Sequence, residues 1–143
     1  MFHLHYFPKL QSQLTGGLLI VVSHLCYADT TLQTFENIEQ YPSTEGNSLR
    51  LAKLKQGCKI EAQFYGELGR IKENYLFQQR QLNYVARYEY TYSDGGLSNL
   101  SDNQGKFKTQ QKRIELDPEA AKTRADFQEY LSLFSRTALK KCH

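Results

Sequence analysis

The residue types that most often carry chemistry are scarce here, and all but Cys58 lie towards the ends of the given sequence. The four histidines are His3, His5, His24 and His143, and the three cysteines are Cys26, Cys58 and Cys142. Zinc sites need three or four such ligands at close spacing, and a nucleophile needs a base held within hydrogen-bond reach. Neither spacing occurs. His24 and Cys26 lie inside a segment with its own meaning, Leu14 to Ala28, read LTGGLLIVVSHLCYA, and His3 and His5 precede it. A short apolar run behind a weakly basic start, closing on small residues, has the layout of a secretory signal peptide cleaved after Ala28. Cleavage there would remove His3, His5, His24 and Cys26. Two rival readings fit less well. A membrane anchor needs about 20 consecutive apolar residues, and Gly16, Gly17, Ser23 and His24 interrupt this run. A lipid-modified Cys26 calls for a small residue before it, where Leu25 stands.

Cys58 and Cys142 remain, and in an oxidising compartment an even pair reads as a disulfide. The rival, a reactive Cys142 thiol beside His143, would sit two residues from a chain end, where catalytic geometry is hard to hold. Carboxylates give one candidate pair, Glu61 and Glu73, on strands expected to neighbour each other. Their parities place them on opposite faces, Glu73 with Tyr75 and Phe77, so no shared cleft is implied and a carboxylate-dependent hydrolase is disfavoured. Gly95-Gly96 does not stand between a strand and a helix with a following Lys, so no phosphate-cradling motif is present. The expectation is a protein that is not an enzyme, with no cofactor and no metal.

Two constellations suit binding. Tyr84, Tyr88, Tyr90 and Tyr92 recur at even spacing and could form a stacking platform; the competing expectation, favoured here, is that they pack under a helix. Lys106, Lys108, Lys112 and Arg113 put four cations into eight residues, either to hold an acidic partner or to guard an edge strand against aggregation. The neighbouring loop, Ser93 to Gly105, offers Leu97 and Asn99 as further contacts, and Asn99-Leu100-Ser101 matches a glycosylation acceptor. Lys9 is the one basic residue before Asp29 and no acid precedes it, so residues 29–143 carry 17 basic and 15 acidic groups, a net +2. That dispersed balance argues against nucleic acid as a main partner, which calls for dense cations on one face.

The elements that must position these groups follow from periodicity. Residues 29–143 suit one domain. Leu32, Phe35 and Ile38 recur every three residues and suggest a short N-terminal helix, stopped at Tyr41-Pro42. Leu49 to Lys55 fits strand or helix equally. Alternation over 58–65 (Cys58, Ile60, Ala62, Phe64 against Lys59, Glu61, Gln63, Tyr65) marks a strand, with Gly66 to Gly69 supplying a turn and 71–78 the return strand. Residues 82–92 and 106–116 read as two more. Asp117-Pro118-Glu119 opens a helix over 118–139, with an apolar stripe of Phe127, Tyr130, Leu131, Phe134 and Ala138. The expected class is α+β: an antiparallel meander of about four strands covered by the C-terminal helix. The function expected is that of a small periplasmic or secreted binding protein acting by protein–protein contact, such as an inhibitor or immunity protein. The alternative is an accessory envelope protein that binds glycan or lipid surface.

Overall fold

The computed structural model describes residues 29–93, 95 and 108–143, so the proposed leader and most of the 93–105 loop lie outside the described residues. Six strands form one antiparallel sheet in chain order: β1 (Thr30–Glu36), β2 (Asn47–Lys53), β3 (Cys58–Gly66), β4 (Gly69–Gln78), β5 (Gln81–Tyr92) and β6 (Thr109–Leu116). Each strand pairs with its sequence neighbour. The helices α1 (Ala121–Leu133) and α2 (Arg136–Lys140) follow and close over one face. The expected class, an antiparallel sheet with a C-terminal helix, is the observed one, with six strands in place of about four.

The two additional strands are at the N-terminal end. The segment expected to be helical is β1, and its spacing of three has a local cause: the register of β1 on β2 shifts between Thr31 and Gln33. The extra residue, Leu32, joins Phe35 in packing against the core. Ile38 follows a left-handed residue, Asn37 at φ 52°. A bulge and a turn thus imitate helical periodicity. Of Leu49 to Lys55, the part up to Lys53 resolves as strand within β2, whose Leu49 and Leu51 are buried in the core.

At the β3–β4 turn, Gly66 pairs with Gly69 across Glu67 and Leu68, and neither glycine is left-handed. Gly69 answers instead to close approach, since a Cβ there would lie 2.1 Å from the Tyr90 carbonyl oxygen. At the β4–β5 turn the left-handed residues are Gln79 and Arg80.

The C-terminal helix is shorter than expected and broken in two. Asp117 accepts a hydrogen bond from the Glu119 amide, and Ala120 N–H bonds back to the Asp117 carbonyl. Those bonds close a turn, and α1 begins only at Ala121 with no side-chain cap. It ends at Phe134, which is extended, and Ser135 then caps α2 by accepting from the Ala138 amide. The apolar stripe is as expected: Phe127, Tyr130, Leu131, Phe134 and Ala138 are all buried. Phe127 stacks on Tyr75 with centroids 6.2 Å apart and tilts against Phe77 at 5.3 Å. The expected disulfide, Cys58 to Cys142, joins the first residue of β3 to the segment just past α2.

Candidate functional site

One face of the sheet lies under the helices and the other is open. The covered face holds Leu49, Leu51, Cys58, Ile60, Ala62, Tyr75 and Phe77. Pairing carries that face to β5 at Leu82 and Val85, opposite Phe77 and Tyr75. Those two β5 residues are three apart because the register shifts at the Leu76/Phe77 step. The extra residue reverses the parity of the strand that follows. Tyr84, Tyr88, Tyr90 and Tyr92 therefore face away from the helices, and the expectation that they pack under α1 is corrected. Val85, Arg87, Glu89 and Thr91 take the helix side.

The open face has two halves. Over β2, β3 and β4 it is a network of charges. Asp29 takes Arg50 at 3.1 Å and Lys59 at 2.6 Å, and Glu61 takes Lys72 at 2.7 Å and Arg50 at 3.6 Å. Gln63 donates to Glu61 and Tyr65 donates to Gln63. Burial alone would push the Glu61 carboxyl up, but Lys72, Arg50 and Lys59 override it and hold the group below its usual range. The hydrogen bonds from Arg50 and Lys59 bring Asp29 down to about 2. Its folded pKa lies below the unfolded one, so its contribution to stability is whole above about pH 4 and is lost as pH falls through 2. We expect Asp29→Asn to cost about 1–2 kcal/mol at neutral pH, allowing for solvent screening, and nothing below pH ~2. Urea midpoints across that range check this, and a penalty that does not fade with acid would contradict it.

Over β4, β5 and β6 the open face is tyrosine and arginine. The Arg70 guanidinium stacks 4.4 Å above the Tyr90 ring. Arg113 lies beside Tyr88 on the neighbouring strand and donates to both the Tyr84 hydroxyl and Glu115. Tyr84, Tyr88 and Tyr90 are half-buried. At the end of this half, Tyr90 and Arg70 line a shallow groove of about 510 Å³ with Leu68, a leucine 65% exposed at the hairpin tip.

The basic stretch divides. Arg113 faces the open side beside Tyr88, Lys112 pairs opposite Glu89 on the helix side, and Lys108 is exposed just before β6. Lys106, Leu97 and Asn99 lie outside the described residues.

The helix side holds a second concavity, a cleft of about 430 Å³ between α1 and strands β4 to β6. Glu73 faces Asp126 and Glu129 across it, together with Arg87 and Lys122. Each carboxylate already holds a donor. Glu73 takes the Tyr75 hydroxyl at 2.9 Å and Arg87 at 3.6 Å, Asp126 takes Lys122 at 2.8 Å, and Glu129 takes the Tyr41 hydroxyl at 2.8 Å. Burial, and then the neighbouring Glu73 charge, push the Tyr75 and Tyr130 hydroxyls far up, so both stay protonated. Glu61 lies on the opposite face, as its parity predicted, and shares no cleft with Glu73.

No family model matches the chain, and no curated protein or solved structure matches it significantly. The site therefore rests on its own geometry. Among the described residues no group of His, Cys, Asp and Glu could hold a metal ion, and no helix is long and apolar enough to cross a membrane. The disulfide fits an oxidising compartment. Sequence reasoning missed the outward set of Tyr88 and Tyr90 and the role of Arg70. The signal that could have found the face is Val85, an aliphatic residue amid the tyrosines of the strand's later part, which belongs in a core better than any tyrosine beside it.

Proposed function

We propose that the chain is an exported binding protein that acts by protein–protein contact, in the manner of an inhibitor or immunity protein. The contact is the tyrosine–arginine half of the open face, Arg70, Tyr84, Tyr88, Tyr90 and Arg113, with Lys108 exposed just before β6. The observation that carries this reading is the outward direction of the β5 tyrosines, set by the shift in β4–β5 register. Tyrosine and arginine are the residues most enriched at interface cores and among their energetic anchors. Tyrosine gives a large contact area with only two rotatable torsions, and here the rings are already held by Arg70 and Arg113. The neighbouring cations favour an acidic partner surface.

Capture of a partner from the native envelope tests this. Tyr88→Ala with Tyr90→Ala should weaken capture by at least about 30-fold, the loss of one anchor worth 2 kcal/mol, with little change in thermal stability. Capture that survives unaltered overturns the reading. An envelope protein that stacks glycan on the same tyrosines is the other class, and sedimentation with purified cell-wall polysaccharide separates it from capture of a soluble protein.

A further inference from the structure

One end of the sheet gathers cations on segments that carry no acidic side chain. Three segments build it: the β2–β3 turn with its flanks, the β4–β5 turn, and α2 with the residues after it. Residues 53–57, 78–81 and 134–143 contain Lys53, Lys55, Arg80, Arg136, Lys140 and Lys141 and no aspartate or glutamate. The three segments meet in space. Arg80, Arg136 and Lys140 line one small pocket with His143, and the Lys53 ammonium donates to the His143 backbone oxygen at 3.0 Å. Lys55, Arg80, Arg136, Lys140 and Lys141 are all exposed and take part in no ion pair among the described residues. Asp29, at the same end, is occupied by Arg50 and Lys59.

The open face neutralises its cations through Asp29 and Glu61, whereas the cations of this end have no acidic partner among the described residues. The group is also held in place. The disulfide fixes Cys142, and with it Lys140 and Lys141, against the start of β3. Arg80 is carried on a left-handed turn residue at φ 67°, a conformation that disfavours a side chain. The cations are spread over separate elements at an exposed end, which matches an array of charges on a surface better than a single small anion.

We infer that this basic end binds the phosphate headgroups of an anionic lipid surface, apart from the tyrosine face. Each Lys or Arg near such a surface contributes about 1 kcal/mol, roughly a fivefold gain in partition. The test is partition of the protein, as isolated from its exporting host, onto phosphatidylcholine vesicles with and without phosphatidylglycerol. The anionic vesicles should bind it more tightly, and the gain should fall as salt is raised. Combining R80Q, R136Q and K140Q should remove roughly 100-fold of that gain. The control K108Q, K112Q and R124Q removes equal charge elsewhere and should leave vesicle binding within about threefold; any loss it causes in partner capture belongs to the tyrosine face. All six positions are exposed, so circular dichroism should show both variants folded. Equal binding to neutral and anionic vesicles overturns the proposal. So does an equal loss in the two triple variants, or binding to soluble polyphosphate with none to vesicles.

Discussion

Replacing Cys58 and Cys142 together by alanine lowers the unfolding free energy by about 4–5 kcal/mol, on the chain-entropy estimate for a closed loop of this length. The loop spans 84 residues and encloses β3 to β6 and both helices. Without the link the unfolded chain gains the freedom of that loop, while the folded state loses little, because both side chains are buried and alanine occupies similar space. The denaturant slope should rise as well, since an unlinked denatured chain exposes more surface. Urea titration of the two forms measures both quantities. A loss under about 1 kcal/mol would mean that packing of α1 alone fixes the end of the chain.

Phe127→Ala costs about 3–5 kcal/mol. Phe127 is 1% exposed and its ring lies between Tyr75 and Phe77, so truncation leaves a void bounded by a sheet that cannot close on it. Phe127→Leu should recover more than half of that loss, because most of the volume returns while the ring contacts do not. Thermal unfolding of the two variants gives the comparison. Equal destabilisation would assign the effect to ring stacking in place of filled volume.

What could be read from the sequence divides along the strand faces. β3 and β4 follow strict alternation, and their facing, their partnership and the separation of Glu61 from Glu73 were all legible. The disulfide was legible because the proposed leader takes Cys26 and leaves one pairing. β1 and β5 were misread for one shared reason. Each contains a single extra residue, Leu32 in one and a residue between Leu82 and Tyr84 in the other, and one residue reverses every later side chain. Periodicity assumes an unbroken ladder, and a bulge is fixed by the neighbouring strand. The tyrosine surface was hidden by this, although the tyrosines themselves were plain. The basic end was illegible for a different reason, because its three segments are separated by 20 residues or more and meet only through the topology.

The disulfide also sets a timetable. A chain is made from its N-terminus, and at roughly 5–20 residues per second the 84 positions between the two cysteines take on the order of 4–17 s to appear. Through that interval β2 to β5 can already pair, each with the neighbour just made, since no strand of the meander waits for a distant partner. Cys58 stays without its partner until Cys142 arrives. The covalent step therefore follows synthesis of every strand and both helices, and it can capture a sheet that has already paired.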